Sequence, residues 1–292
     1  MKTMLICTDL GPYSKTTVKL GLQWARKYNY DPIIIHIKPE AGYHTELLAE
    51  RLEITENAKN HIVENYLLDF NENEQPPLIE VWYGEVMECI QMAISKHKAE
   101  LLAVGLKGHN LLKDVFLGST THKLITHSPI NILCLHDEQE KLPTNILFAC
   151  ESLDLESLPL KKLSELQNSH NVMTHILHIV NNQTVANDLK DEALEDIISI
   201  DDVQSKARKV SQKKLEAIKQ YYQHKTECYI LEANDMASGE SILEFCKDHR
   251  NDLIVLGNHN RRGVIKFFLG STAEYIVDRS PVSLLIYKQG LY

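Results

Sequence analysis

Short apolar runs alternate with longer amphipathic or charged stretches along the whole chain. Residues 4–8 (MLICT) make an apolar run of strand length, and residues 14–28 repeat Val18, Leu22, Ala25 and Tyr28 on one helical face. PIIIHI (32–37) is rich in β-branched residues and reads as a strand. A long polar helical pattern follows over roughly 43–70, then a strand at LIEVWY (78–83) and a helix at 85–97. AELLAVG (99–105) is a strand, GSTTHKLITH (118–127) a helix and INILCL (130–135) the next strand. The same order then returns: NILFAC, ESLPLKKLSELQ, VMTHILHIV, a charged helical region over 185–223, TECYIL, GESILEFCKD, DLIVLG, GSTAEYIVDR and VSLLIY.

The recurrence is an internal repeat. Gly105 and Gly257, Gly118 and Gly270, and Pro129 and Pro281 are each 152 residues apart. Upstream, His36 pairs with His178 and Asp9 with Glu151 at an offset of 142, because the second copy has a longer middle segment. A period of that length is a whole domain. The expected organisation is two domains, 1–138 and 143–292, joined near DEQEKLP (137–143), a charged run ending in proline. Each copy reads βαβαβαβαβ. Its strands are continuous apolar runs, the signature of a parallel sheet covered on both faces. The fold class expected is therefore α/β, with two tandem domains, each a five-stranded parallel sheet with helices on both faces.

Composition narrows the function. The chain has 292 residues, 43% hydrophobic, and no apolar run near the roughly 20 residues that span a bilayer. The short patch MLIC runs straight into Asp9 without a cleavage signature, so a cytoplasmic location is expected. A net charge of -9 argues against nucleic acid or an acidic membrane as partner. The six cysteines form no CxxC pair and read as small hydrophobes in a reducing compartment. Fourteen histidines suggest metal, but no HExxH and no Cys/His cluster of ligand spacing occurs, and no metal site is expected. His36 and His178, both inside strands, read instead as satisfied core or interface histidines.

The chemistry worth testing lies at the strand ends. Open α/β sheets bind ligands outside the carboxyl ends of their strands. In the first copy Gly105 ends a strand, Gly108 follows after two residues, and Gly118-Ser119-Thr120 opens a helix after nine more. Glycines let the chain turn and let an anion approach main-chain N–H groups, and a helix start adds its own N–H groups and dipole. No GxxxxGK[ST] occurs, so a phosphate held here would not sit in a P-loop. Ser or Thr at a helix start also serves simply as a cap. Asp9, at the end of the first strand, reads either as an acceptor for a ribose or base or as a turn residue. HxGH-like, SGGxDS-like and GxSxG loops are absent, which disfavours a nucleotidyl transferase, a pyrophosphatase and an α/β-hydrolase.

The tandem pattern, strand-end Asp9, and GLKG followed nine residues later by GST resemble the universal stress protein family over nearly the whole chain. The resemblance implies an adenine-nucleotide alpha-hydrolase-like fold and, as in one subgroup, binding of ATP or AMP at a non-Walker site. Carried over, it places Thr8, Asp9 and Ile37 around the adenosine. It places Gly105, Lys107, Gly108, Gly118, Ser119 and Thr120 around ribose and phosphates. The second copy departs: Glu151 replaces Asp9 and Asn260 stands where the second glycine belongs. Glu151, Gly257, Asn260, Gly270, Ser271 and Thr272 are its weaker candidates. No nucleophile–base pair stands out, so the resemblance implies a stress-response protein acting by binding. A slow ATP hydrolase and a nucleotide-independent partner-binding protein are the alternatives. The last strand of each copy is similar to the family's dimer-pairing strand, which implies an intrachain pseudo-dimer and leaves a homodimer open. The charged segment 185–223 reads as a solvated amphipathic helix or a partner surface.

Overall fold

A computed structural model describes residues 2–39, 48–67, 75–106, 118–150, 153, 160–168, 172–180, 200–221, 225–232, 238–257 and 270–288. The chain divides into two compact units, Met1–Leu142 and Pro143–Gly290.

The first unit runs β1 (Lys2–Thr8), α1 (Ser14–Lys27), β2 (Tyr30–Lys38), α2 (Leu48–Tyr66), β3 (Leu78–Tyr83), α3 (Val86–His97), β4 (Ala99–Gly105), α4 (Ser119–His127), β5 (Asn131–Leu135). All its pairings are parallel and the strand order is β3-β2-β1-β4-β5. Right-handed crossovers then place α1 and α2 on one face and α3 and α4 on the other. Consistent with this, α1 packs on α2 and α3 on α4. The central strands are sealed on both sides, as at Met4, Leu5, Ile6, Leu102 and Ala103. The outer strand β3 is only half-buried, because it has a neighbour on one edge alone.

Helix α1 buries Ser14, Thr17, Val18, Leu20, Gly21, Trp24 and Ala25. Of the stripe expected from periodicity, Val18 and Ala25 are buried but Leu22 and Tyr28 are half-buried. The face is rotated toward Gly21, where an added Cβ would stand 3.0 Å from Ile6 Cδ1. The missing side chain lets the helix lie close on β1.

The second unit repeats the plan: β6 (Asn145–Cys150), α5 (Leu160–Asn168), β7 (Met173–Val180), α6 (Ile200–Tyr221), β8 (Thr226–Glu232), α7 (Ser238–Asp248), β9 (Leu253–Gly257), α8 (Ser271–Arg279), β10 (Ser283–Tyr287). Its parallel order is β8-β7-β6-β9-β10. Of the charged helical region expected over 185–223, residues 200–221 form α6, whose Val203, Ala207 and Val210 pack with Val180 of β7 and Ile230 of β8, and the remainder lies outside the described residues. That spacing is one helical face, so α6 is amphipathic with its apolar side on its own sheet.

The repeat extends to local devices. Lys98 and Arg250, 152 residues apart, both end their helices in the left-handed region, at φ 50 and 52. Ser128 and Ser280, each before a proline, both take the amide of the residue two places on, Ile130 and Val282, at 3.3 Å.

Candidate functional site

In the first unit β1 has β2 on one side and β4 on the other, so the connections leaving β1 and β4 depart to opposite faces. A crevice opens at such a switch point, outside the carboxyl ends of the two strands. Asp9 leaves β1 at this edge and Gly105 ends β4.

The turn after β1 is tightly specified. Gly11 N donates to Asp9 Oδ1 at 2.9 Å, and the Ser14 hydroxyl donates to the same oxygen at 2.5 Å. Asp9 N donates to Ser14 Oγ at 3.2 Å, and Leu10 N to Thr8 Oγ1 at 3.1 Å. Leu10 sits at φ 60, a conformation that costs a non-glycine residue about 1 kcal/mol or more. Asp9 therefore serves as the turn residue, and it is exposed at the edge.

Two side chains from outside the predicted set complete this end. The Tyr66 hydroxyl, at the end of α2, donates to Gly11 O at 3.1 Å. His36 Nδ1, on β2, lies 2.9 Å from Thr8 O. Burial pushes the His36 pKa down, against the Thr8 carbonyl and the Asp9 charge that raise it. Burial pushes Tyr66 up, opposed by its hydrogen bond with Thr8 and aided by the Asp9 charge. Ile37 is half-buried next along β2, opposite Trp82 of β3.

The other wall is the junction of β4 and α4. Leu106 N donates to Leu135 O at 3.0 Å, and Gly118 N to Leu106 O at 3.0 Å. The Thr121 hydroxyl donates to Gly105 O at 2.9 Å. These bonds hold the start of α4 against the end of β4. The first intrahelical bond runs from His122 N to Gly118 O at 2.9 Å. The amides of Ser119, Thr120 and Thr121 thus precede the helical ladder, and no helical carbonyl can accept from them. Gly118 caps the helix at φ -71, ψ 139, without a side-chain cap bond. Any residue adopts that backbone, so glycine is not required there for the turn, contrary to the sequence expectation. What it leaves out is a side chain at the mouth of the helix. Lys107 and Gly108 lie outside the described residues.

In the second unit Gly257 ends β9, and Gly270, at φ -65, ψ 159, starts α8 with Glu274 N donating to its carbonyl at 2.9 Å. Among the described residues, a Cβ at Gly257 or Gly270 would meet nothing within 4 Å. Gly270 and Ser271 are exposed and Thr272 half-buried. His178 Nδ1 repeats the bond of His36, to Cys150 O at 3.0 Å. Two features of the first unit are missing. Ala273 stands where Thr121 ties down Gly105, and Cys150 has no hydroxyl in the place of Thr8. Glu151 and Asn260 lie outside the described residues.

Among the described residues no group of three or more His, Cys, Asp or Glu side chains is placed to hold a metal, and no helix is long and apolar enough to cross a membrane. His175 and His178, both on β7, have separate partners. His175 Nδ1 accepts from Asn251 Nδ2 at 2.9 Å, while His178 meets Cys150 O. Burial raises the Cys7 and Cys246 thiols to about 12, aided at Cys246 by the Asp252 charge, so neither is a thiolate nucleophile at neutral pH.

Comparison with known proteins agrees with this architecture. The profile of the universal stress protein family matches residues 1–136 and again 144–288. A universal stress protein from Archaeoglobus fulgidus DSM 4304 is similar at 17% identity, with 99% of this chain and 98% of that one covered and a TM-score of 0.69. A putative universal stress protein from Pseudomonas aeruginosa UCBPP-PA14 is similar at 13% identity, covering 98% and 93%, with a TM-score of 0.67. A functionally unknown protein from Pseudomonas aeruginosa PAO1 follows at 12%, 98% and 92%, and 0.60. No curated protein matches the chain. At these identities the structural likeness speaks for the fold, and the double profile match speaks for the family: the chain belongs to the universal stress protein family and carries two copies of its domain in tandem.

Proposed function

We propose that the first domain binds an adenine nucleotide, ATP or AMP, in the crevice between the carboxyl ends of β1 and β4, and that the protein acts by binding rather than turnover. The observation that carries this reading is the secured start of α4. Gly118 N and the Thr121 hydroxyl are spent on Leu106 and Gly105, so the remaining first-turn amides are presented from a fixed frame. Directed N–H bonds to an ionised phosphate contribute about 1.5–3 kcal/mol each, and the helix dipole about 0.3–1 kcal/mol. Thr8, Asp9 and Ile37 bound the adenosine end; Gly105, Lys107, Gly108, Gly118, Ser119 and Thr120 bound the phosphates. The nucleotide is held without a Walker lysine. The second domain, lacking the Thr8 and Thr121 ties, binds more weakly or not at all.

The test is to denature the purified protein and identify the released small molecules by mass. Recovery of an adenine nucleotide, or a thermal shift at millimolar ATP, supports the reading. A protein that carries no nucleotide and shows no shift points instead to a partner-binding role. Phosphate release at multiple turnovers per minute, abolished by Gly118→Val, would make it an enzyme.

A further inference from the structure

Tyr66 closes the buried stripe of α2, where Ala58, Ile62 and Tyr66 recur every four residues on one helical face. Packing asks only for an apolar ring at that place, so the hydroxyl is the atom to explain. It donates to Gly11 O at 3.1 Å across 55 residues of chain, and it also bonds the Thr8 side chain. The His61 ring stands edge to face against the Tyr66 ring at 5.3 Å.

The acceptor is the far side of the turn that presents Asp9. Inside that turn Gly11 N and the Ser14 hydroxyl donate to Asp9 Oδ1, Leu10 N to Thr8 Oγ1, and Ser14 N to Gly11 O. All of these bonds join residues 8–14 to one another. They set the shape of the turn, not where it stands at the sheet edge. Two described bonds from other elements do that. His36 of β2 takes the Thr8 carbonyl at 2.9 Å, ahead of Asp9, and Tyr66 of α2 takes the Gly11 carbonyl, behind it. Asp9 is thus exposed between two buried anchors, Thr8 and Gly11. Leu10, in the same span, is held at φ 60, a strained backbone that persists only where its surroundings over-determine it. Without the Tyr66 bond the Gly11 end can relax that strain, and the Asp9 carboxylate shifts with it.

We propose that Tyr66 is a positioning residue for the nucleotide, holding the Asp9 carboxylate in place at the adenosine end of the crevice. The inference rests on the nucleotide reading above and adds α2 to the elements that build the site. Tyr66 acts through Asp9, by way of the Gly11 carbonyl.

The experiment is calorimetric titration of the full chain with AMP and with ATP, for wild type, Tyr66→Phe, Asp9→Asn and the double variant. Tyr66→Phe keeps the ring and loses only the hydroxyl. Asp9→Asn keeps an oxygen for the turn bonds and loses the charge. Tyr66→Phe should raise Kd by about threefold to tenfold, the effect of one hydrogen bond. On the Asp9→Asn background the same change should raise Kd by less than about twofold, because the two residues act as one unit. A tyrosine that merely stabilised the fold would lower the melting temperature and leave Kd, measured well below it, unchanged. An unchanged Kd in Tyr66→Phe, or an equal loss on both backgrounds, overturns the proposal while the nucleotide reading stands. No binding of either nucleotide by the wild type overturns both. Hydrogen exchange at the Gly11 amide, in the nucleotide-free proteins, gives a check that needs no Asp9 variant. It should speed by about threefold to tenfold in Tyr66→Phe, and an unchanged rate contradicts the proposal.

Discussion

Replacing Glu80 by Gln removes the acceptor that organises the outer edge of the first domain's sheet. Its carboxylate accepts from Lys96 Nζ at 2.7 Å, Trp82 Nε1 at 2.9 Å and His97 Nε2 at 3.0 Å. The Lys96 ammonium also lies 5.2 Å from the Trp82 ring centroid. Burial alone would raise the Glu80 pKa, but the three donors outweigh it and hold the group at about 2, below its ordinary 4.5. A displacement of that size corresponds to about 3 kcal/mol at 1.36 kcal/mol per unit. Lys96 is 53% exposed, so solvent screening brings the expected contribution down to about 1–2 kcal/mol. The folded pKa lies below the unfolded one. The stabilisation is therefore fully present above about pH 4.5 and fades as the pH falls toward 2. The assay is urea unfolding followed by tryptophan fluorescence. Both tryptophans, Trp24 and Trp82, belong to the first domain, so the signal reports that domain alone. At pH 7 Glu80→Gln should be less stable by about 1–2 kcal/mol, and the gap should at least halve by pH 3. No gap at pH 7, or an equal gap at both, refutes the assignment.

Other consequences are simpler to state. Lys98 is exposed and left-handed at φ 50, so Lys98→Gly should raise the stability of the first domain by about 0.5–1 kcal/mol in the same assay. Asp252 accepts the amides of Thr144 and Asn145 at 2.9 and 2.8 Å. Asp252→Ala should cost about 2 kcal/mol and speed hydrogen exchange at those two amides. Cys7 and Cys246, with thiols pushed to about 12, should resist a thiol reagent at pH 8 in the native protein and react once it is unfolded.

The fold was legible because its signals are periodic. Buried parallel strands write themselves as apolar runs, and duplication marks equivalent turns at fixed offsets. The pairs His36 and His178, and Ser128 and Ser280, recur in sequence because each makes the same bond in both copies. The helix face of α1 was less legible, since its centre is Gly21, and the absence of a side chain carries no hydrophobic signal. At the candidate site, Asp9 and the Gly118 helix start stood out as strand-end and helix-start residues. Tyr66, Ser14 and Thr121 did not, because a single hydroxyl reaching a distant backbone carbonyl or carboxylate leaves no periodic trace. Thr121 had one usable signal: GSTT in the first copy becomes GSTA in the second. The left-handed Leu10 and Lys98 were invisible for the opposite reason, as such positions are ordinarily announced by glycine.

In the proposed mode of binding, the first turn of α4 receives the phosphate of an adenine nucleotide. Gly118 already adopts a backbone open to any residue, so Gly118→Val fills the mouth of the helix without demanding a new turn. The direct measurement is the Kd for ATP of wild type and Gly118→Val, by titration calorimetry on proteins of matched thermal stability. Saturable binding by the wild type, weakened at least about tenfold in the variant, is the predicted result, equivalent to about 1.4 kcal/mol of lost phosphate contact. Equal affinity in the two proteins would place the nucleotide elsewhere and contradict the claim.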